Sequence, residues 1–341
     1  MNMRFDKSKK SAIIRYLLEK MDEGVPNVVK LVSETFEINQ NTVHNYIKEL
    51  LAEGVIERVK RGTYNLVDES TAYFFSASKG EIEDEQEIFE KHLRQHFQDF
   101  PANVKGIWDY ILGEMINNVV DHSGAENLRI LVQQNYLSTK VYIFDDGIGI
   151  FKKIKEHFNM DSLDEAICEL FKGKLTTDPE HHSGEGIFFS SRLADRFAIF
   201  SDGKIFSINK YDVDNLWDDP EPGAGTVVII ELSNESNKKA AEVFNQYAQV
   251  GGSFVRTMVP LKNMFDAAPV SRSQAKRVCL RLENFQEVVL DFDGLEWMGQ
   301  GFAHQIFIVF QNKHPDVELI PINMSKGVEQ MYLHVTGRTY E

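Results

Sequence analysis

The chain has 341 residues, of which 43% are apolar and 26% are charged. At about 150 residues per domain this length predicts two or three domains, and the apolar content excludes a mostly disordered chain. The longest apolar runs fall far short of the ~20 residues of a membrane helix, and the N-terminus lacks a signal-peptide pattern. We therefore expect a cytoplasmic protein that does not cross or bind a membrane.

The formal net charge of −15 argues against general coating of nucleic acids, because phosphates would be repelled. The charge is uneven, however. Residues 1–64 carry 11 basic against 9 acidic residues, whereas residues 65–250 carry 17 against 33. The excess of acidic residues therefore lies in the middle of the chain, and the charge of the N-terminal part does not argue against DNA binding.

Residues 8–67 show three apolar stripes at helical spacing, followed by two β-like segments joined by Lys60-Arg61-Gly62. This order, over residues 1–67, resembles a winged helix-turn-helix domain. In that family the third helix enters the major groove and the wing touches the DNA backbone. The resemblance implies DNA contacts from Asn41, Thr42, His44, Asn45 and Lys48 in the third helix, and from Lys60 and Arg61 in the wing. A winged helix that serves dimerisation or protein contact is the alternative.

Residues 68–84 are polar and acid-rich and predict a linker. Residues 85–234 then alternate helical and strand-like patterns. Helices are expected over 87–100 and 107–122, strands over 128–133 and 140–144, a further helix over 187–196, and strands over 198–200, 204–209 and 226–232. A connecting helix over 237–250 would complete a domain that spans residues 85–250.

Four motifs follow one another in this middle domain. Glu114, Asn118 and His122 are spaced four apart and form a polar stripe on a helix whose opposite face is apolar. Such a stripe is costly on a buried helix unless something uses it. The other three motifs are Asp145-Asp146-Gly147-Ile148-Gly149 after an apolar strand, Gly184-Glu185-Gly186 at the start of a helix, and Gly225-Thr226 at the start of a strand. Glycine-rich entry into a helix is a ready site for phosphates.

Together, in this order, the four motifs resemble the gyrase, chaperone, histidine kinase and MutL (GHKL) superfamily across residues 85–234. The resemblance implies a Bergerat-type α/β sandwich with a mixed sheet, which binds ATP and Mg²⁺ under a flexible lid. Glu114 would be the catalytic acid, Asn118 the Mg²⁺ ligand, and Asp145 the partner of the adenine amino group. The remaining implied nucleotide contacts are His122, Gly147, Gly149, Lys174, Gly184, Glu185, Gly186 and Thr226.

The lid of that superfamily would correspond to residues 151–183. Six polar side chains of this segment could extend to the phosphates of a bound nucleotide: Lys172, Lys174, Thr176, Thr177, His181 and His182. For the two lysines, an ordinary solvated loop position is the alternative. Asp146 stands where the superfamily frequently has Asn, and His122 stands where many histidine kinases have Lys. His122 could contact phosphate when protonated, and at this position the chain is closer to the anti-sigma serine kinases.

Residues 251–341 alternate strands and helices and predict a small α/β domain. The segments 271–277, 288–294, 298–302 and 321–323 resemble a STAS-like domain of unknown function, over about residues 254–335. True STAS domains are phosphorylated by anti-sigma serine kinases on a serine at a strand–helix turn. The corresponding turn here, Met298–Phe302, contains no Ser or Thr. The overall expectation is an α+β multidomain protein.

These features leave three functional hypotheses. The leading one is a slow Mg²⁺-dependent ATPase switch that couples nucleotide state to binding of DNA, or of a protein partner through the STAS-like domain, with a homodimer plausible. The second is a serine/threonine kinase of anti-sigma type that acts on another chain. The third is a non-enzymatic DNA-binding transcription regulator with a degenerate ATP fold. A histidine kinase is disfavoured, because His92 and His96 lie too close to Glu114 to be acceptors.

Overall fold

The computed structural model describes residues 7–60, 62–175, 184–208, 225–248, 254–265 and 267–337. Helices and strands alternate along this part of the chain, and the strands form several sheets, so the fold is mixed α/β. The α-helices are α1 (Lys7–Asp22), α2 (Val28–Thr35), α3 (Gln40–Ala52), α4 (Glu85–Ile88), α5 (Ala102–Asn117), α6 (Ile150–His157), α7 (Leu163–Lys172), α8 (Gly186–Leu193), α9 (Ala240–Asn245), α10 (Leu261–Met264), α11 (Arg272–Cys279), α12 (Gln300–His304), α13 (Gln311–Lys313) and α14 (Lys326–Thr336). The strands are β1 (Ile56–Lys60), β2 (Thr63–Leu66), β3 (Glu69–Ser76), β4 (Asn127–Gln134), β5 (Ser138–Asp145), β6 (Arg196–Ser201), β7 (Lys204–Ser207), β8 (Thr226–Ser233), β9 (Arg256–Pro260), β10 (Glu287–Asp291) and β11 (Glu318–Ile322).

The chain divides into two compact units. Unit 1 comprises Met1–Ala72, Leu131–Val141 and Glu231–Ser236. Unit 2 comprises Tyr73–Ile130, Tyr142–Ile230 and Asn237–Glu341. The C-terminal α/β region therefore clusters with most of the middle of the chain.

Unit 1 contains three helices and a β-hairpin around one apolar core. Leu17 of α1 and Val32 of α2 are fully buried there, because the apolar residues of each helix recur on one face. Asn39 caps α3 by accepting a hydrogen bond from the backbone N–H of Asn41 at 2.8 Å. The strands β1 and β2 pair antiparallel, as expected from the sequence.

Six strands form the largest sheet, in the order β3-β4-β5-β8-β6-β7. Along β4 and β5 every second residue is buried, which is the period of a strand that packs one face against helices. The long helix α5 begins directly after Pro101 and continues past Asn117 as a π-helical turn, Asn118–Ser123. This turn ends at Gly124, whose φ of 63° allows the left-handed conformation that stops the helix.

A second, three-stranded sheet lies in the C-terminal part of unit 2. Its order is β11-β10-β9, all parallel, and Val289 pairs with Met258 on one side and Ile320 on the other. One apolar cluster joins this sheet and its helices to Phe188 and Phe189 of α8. Because that cluster is continuous, α8 and the C-terminal sheet share a core.

The buried side chain of Arg192 links α8 to the C-terminal sheet by hydrogen bonds. Its guanidinium donates to the carbonyl oxygens of Phe171 (3.2 Å) and Met258 (3.1 Å) and to the hydroxyl of Tyr247 (3.2 Å). Burial lowers its pKa to about 10, so it stays charged at neutral pH. Such a cation is held in place only because oxygen acceptors surround it.

Two stretches differ from the sequence-based expectation. Residues 68–84 were expected to form a linker, but they contain the strand β3. Its side chains are mostly exposed, Phe74 among them, because β3 lies at the edge of the six-stranded sheet. An edge strand with so little burial lacks the alternation of buried and exposed residues that marks a strand in the sequence. The helix expected over 237–250 is confirmed only over Ala240–Asn245, and residues 249–250 lie outside the described part.

Candidate functional site

Unit 2 contains a cavity of about 420 Å³. This volume lies within the ~300–1,000 Å³ that small-molecule sites usually have. Residues from six separate segments line it, and they are Glu114, Met115, Asn117, Asn118, Val119, His122, Ser123, Asp145, Ile148, Gly149, Ile150, Lys153, Ile154, Leu170, Gly173, Leu175, Gly184, Gly186, Ile187, Phe188, Ile199, Thr226 and Val228. Polar and apolar side chains are mixed, as in sites that bind an amphiphilic ligand.

The polar stripe of the first motif faces this cavity. Glu114 lies on α5, and Asn118 and His122 lie on the π-helical turn that follows, yet all three line the same wall. The opposite face of α5 is buried, with Trp108 and Leu112 fully inaccessible. A π-helical turn at such a place is a common feature of functional sites, because it shifts side chains relative to a regular helix.

Glu114 sits against the start of helix α8. A Cβ atom added to Gly186 would overlap Oε2 of Glu114, so the carboxylate lies directly over the glycine. Any larger residue at this position would require the carboxylate of Glu114 to move. The first and third motifs are thereby brought together, although about 70 residues separate them.

Asp145 ends strand β5 at the cavity wall. Its Oδ1 accepts a hydrogen bond from the N–H of Gly147 at 2.9 Å, and Thr226 of β8 also bonds to its carboxyl group. Thr226 in turn accepts from the N–H of Ile150 at 3.2 Å. Burial raises the pKa of Asp145 to about 6, against the effect of these bonds, which stabilise the charged form. Asp145 is thus a desolvated but mostly ionised acceptor at neutral pH.

Asp146 points away from the cavity wall. Its carboxylate accepts from the backbone N–H groups of Glu126 and Asn127, both at 2.9 Å, and from the side chain of Asn127 at 2.7 Å. This residue therefore fastens the start of β4 and does not line the cavity.

The glycines of the second and third motifs stand where side chains would collide. A Cβ on Gly147 would overlap the carbonyl oxygen of Ser123, and one on Gly149 would lie 2.7 Å from Oδ2 of Asp202. Gly149 also has a φ of 85°. Gly149, Gly184 and Gly186 line the cavity, whereas Gly147 supports the loop behind it.

Besides Gly147, two of the residues expected to contact nucleotide, Lys174 and Glu185, are not among those that line the cavity. Nζ of Lys174 donates to the carbonyl oxygen of Asn284 at 3.2 Å and lies over the rings of Phe254 and Phe285. Glu185 lies near Lys174, and burial raises its pKa. Of the other lid residues, Lys172 is fully buried, while Thr176, Thr177, His181 and His182 lie outside the described residues.

Lys153 is a lining residue that sequence reasoning missed. Its Nζ donates to the carbonyl oxygen of His122 at 2.7 Å, so it places a positive charge beside the polar stripe of the first motif. Its position four residues after Gly149, on the first turns of α6, was the signal that could have found it.

The comparisons with known proteins bear on the C-terminal part of the chain. Residues 274–329 match the family of the STAS-like domain of unknown function (DUF4325). No curated protein matches the chain. The matched region contains β10, β11 and most of α11, so these elements belong to a STAS-like domain, as the sequence indicated, while β9 precedes the match.

Two further properties concern the part of the chain that the structure describes. None of its helices has the length and apolar character required to cross a membrane. No cluster of three or more His, Cys, Asp or Glu side chains in this part is placed to hold a metal ion.

Unit 1 carries a second depression, on the exposed face of α3. It is lined by Asn41, His44, Asn45, Ile47, Lys48, Arg58 and Tyr64. Four of these are residues for which DNA contact was predicted, and Arg58 was missed because it lies in the strand β1 and not at the hairpin tip. Its Nη2 donates to the hydroxyl of Tyr64 at 3.3 Å. Thr42 and Lys60 are not among the lining residues, and Arg61 lies outside the described residues.

The raised pKa of Asp145 predicts a pH-dependent effect of Asp145→Asn on stability. Above pH 6 the folded wild type carries a desolvated negative charge at Asp145, which costs free energy of folding. The neutral amide of the variant avoids this cost, so the variant should be more stable by about 2 kcal/mol at pH 7.5. As the pH falls through about 6 towards 5, Asp145 takes up a proton and the difference should shrink. Urea unfolding of both chains at pH 7.5 and 5 measures it. An advantage that is equal at both pH values contradicts the prediction.

Proposed function

We propose that the cavity binds ATP with Mg²⁺ and that the chain is a nucleotide-dependent regulatory protein of the GHKL type, with slow ATPase activity. One observation carries this proposal: Glu114, Asn118, Asp145 and Gly186 come from distant parts of the chain and meet at one cavity of about 420 Å³. Chance motifs would have no reason to converge on one cavity.

Each end of the cavity suits a different part of the nucleotide. The carboxylate of Asp145 is a desolvated acceptor for an exocyclic amine, which adenine has and guanine lacks at the equivalent ring position. Thr226 holds that carboxylate in place, and the apolar side chains of Ile154 and Val228 suit a flat ring. This part of the cavity favours adenine.

Phosphate groups and Mg²⁺ suit the wall formed by α5 and its π-helical turn. The amide oxygen of Asn118 is a ligand type that Mg²⁺ accepts, and Mg²⁺ takes few ligands from protein and the rest from water and phosphates. Lys153 adds a positive charge at the same wall, and the glycine-rich start of α8 presents free backbone N–H groups. When bound, Mg²⁺ would neutralise phosphate charge.

Glu114 is the group best placed to activate the attacking nucleophile. It lies one helical turn before Asn118 and directly over Gly186, at the start of α8. A carboxylate there can orient a water molecule or a hydroxyl group and accept its proton. The same geometry serves an ATPase and a kinase that acts on another chain. The two differ in the nucleophile, which is water for the ATPase and a hydroxyl group of the other chain for the kinase.

Nucleotide binding is tested with Asn118→Ala. We expect the wild-type chain to bind Mg-ATP in isothermal titration calorimetry and the variant to lose about tenfold or more in affinity, because a charge-assisted contact is removed. Asn312→Ala is the matched control, since Asn312 is exposed on α13 and outside the cavity. GTP in place of ATP should bind more weakly. Equal ATP binding by the wild type and Asn118→Ala, or none by either, would refute the proposal.

Turnover is tested with Glu114→Gln, which keeps the shape of the side chain and removes its charge. We expect kcat for phosphate release to fall about a hundredfold or more while the affinity for ATP is kept. Full turnover in the variant would show that Glu114 is not the catalytic group. Radiolabel that moves from ATP to an added protein, with little free phosphate, would favour the kinase. A wild type that binds ATP without any turnover would favour the non-enzymatic regulator.

DNA is a second proposed ligand, and the depression on unit 1 supports it. Asn41, His44, Asn45 and Lys48 share the exposed face of α3, and Arg58 of the adjacent strand adds a second cation to that face. Amide and imidazole groups on a helix read base edges, and the two cations suit phosphates. A three-helix unit with a hairpin and such a face is typical of winged helices.

The DNA proposal is tested by fluorescence anisotropy with genomic DNA fragments. Lys48→Ala and Arg58→Ala should each weaken binding and reduce the salt dependence of the binding constant by about one phosphate contact. Lys30→Ala is the control, because Lys30 is an exposed cation of α2 in the same unit and outside the depression. If all three variants weaken binding equally, the contact is unspecific and the face of α3 is not the interface.

A further inference from the structure

The short backbone segment 172–175, here called the strap, forms part of the cavity wall. It begins at Lys172, the last residue of α7, and its residues Gly173 and Leu175 both line the cavity. The N–H of Leu175 donates to the carbonyl oxygen of Gly184 at 3.1 Å, which ties the strap to the start of the third motif. The position of the strap therefore sets the shape of the cavity.

The other two strap residues are held by the C-terminal part of the chain. Nζ of Lys172 donates to the carbonyl oxygens of Arg277 (3.0 Å) and Leu280 (2.6 Å), at the end of α11. The hydroxyl of Thr257 donates to the carbonyl oxygen of Lys172 at 2.7 Å. Along the strap, Gly173 and Leu175 therefore face the cavity, whereas Lys172 and Lys174 contact the C-terminal α/β region.

Lys174 and Arg281 form a reciprocal pair of contacts across this junction. Nη2 of Arg281 donates to the carbonyl oxygen of Lys174 at 2.6 Å. In return, Nζ of Lys174 donates to the carbonyl oxygen of Asn284 at 3.2 Å. Arg281 and Asn284 both lie within the residues that match the STAS-like family.

The backbone at this junction is held in an unusual conformation. Lys174 has a φ of 54° and Arg281 a φ of 59°, in the left-handed region that residues other than glycine adopt rarely. Gly173, with a φ of 79°, could not carry a side chain, because a Cβ would lie 2.9 Å from the rings of Phe188 and Phe254. Such conformations persist where surrounding contacts determine them, and here those contacts come from Phe188 of α8, from Phe254, and from the reciprocal hydrogen bonds of Arg281 and Lys174.

A buried ion pair fixes the same junction from inside. Lys172 and Glu169 are 2.6 Å apart and almost completely inaccessible, and Nε of Arg281 lies 3.7 Å from the second oxygen of Glu169. A buried pair of this kind contributes little net stability, but it penalises every arrangement in which the partners separate. The strap is therefore restrained towards one position.

We propose that Arg281 of the STAS-like domain is a positioning residue for the nucleotide cavity, acting on the strap through the carbonyl oxygen of Lys174. This inference rests on the proposed function of the cavity. Its consequence is reciprocal coupling: a partner that moves Arg281 changes the affinity for nucleotide, and nucleotide changes the affinity for that partner by the same factor. The STAS-like domain is then the element through which a partner regulates the nucleotide site.

The first arm of the test measures the strap without nucleotide. Hydrogen exchange in the full chain is followed at the amide of Leu175, which donates to Gly184. Arg281→Ala should raise this exchange rate about tenfold, because the hold on the neighbouring carbonyl is lost. Arg281→Lys should restore part of the protection, since an ammonium can still donate to that carbonyl. Arg272→Ala is the matched control, an exposed arginine on α11 of the same domain.

The second arm measures the affinity for Mg-ATP in the same variants, each checked for a cooperative unfolding transition. Arg281→Ala should weaken binding about tenfold, Arg281→Lys less, and Arg272→Ala not at all. A purely structural role would lower the stability of Arg281→Ala while leaving the affinity and the Leu175 exchange rate at wild-type values.

The outcomes separate the two proposals. Unchanged Leu175 exchange in Arg281→Ala overturns the positioning role, whatever the nucleotide result. If the wild-type chain binds ATP, and Arg281→Ala shows faster Leu175 exchange but wild-type ATP affinity, the coupling between the strap and nucleotide binding is overturned. A wild-type chain that binds no ATP overturns the proposed function of the cavity, and with it the coupling to nucleotide, while the exchange arm still decides whether Arg281 positions the strap.

Discussion

The ammonium group of Lys172 is enclosed by a carboxylate and two backbone carbonyl oxygens, and the arrangement of unit 2 follows from this one contact set. Lys172 ends α7, whose residue Leu170 lines the cavity, and its two carbonyl acceptors, Arg277 and Leu280, lie at the end of α11 in the STAS-like domain. A charge that is fully buried must be satisfied on all sides. The last turn of α7 is therefore tied to the C-terminal domain, and Gly173 must follow, because the backbone then passes between two aromatic rings.

The cavity holds its polar groups at a cost to stability. Asp145 is a mostly ionised carboxylate whose pKa is raised to about 6 by burial, and the carboxylate of Glu114 lies directly over Gly186. The desolvated charge of Asp145 lowers the stability of the folded chain at neutral pH, as is common for charged groups in ligand-binding sites. The same reasoning applies to the π-helical turn after α5, which gives up regular helix geometry to present Asn118 and His122 to the cavity.

Sequence patterns predicted most elements of the chain well. The strands β4, β5, β8 and β10 and the helices α3 and α8 lie where apolar periodicity and glycine-rich starts indicated, because such signals are local. The strand β3 was missed, since an edge strand carries few buried residues. Within the site, the sequence brought forward Glu114, Asn118, Asp145, Gly149, Gly184, Gly186 and Thr226, which all line the cavity. Lys153 was missed because its position four residues after Gly149 is a weak signal by itself, and its role depends on the carbonyl oxygen of His122 across the fold.

By itself, the sequence determined which segments form helices and strands, that the C-terminal part is STAS-like, and which motifs point to a nucleotide. Those properties depend on residue type and spacing along the chain, and they can be recognised without long-range contacts. The tertiary structure alone decided that Lys174 turns towards Asn284, that Asp146 fastens β4, and that Arg281 reaches the strap. Each of these depends on a left-handed backbone turn or on an acceptor far away in the sequence, and neither leaves a periodic signal.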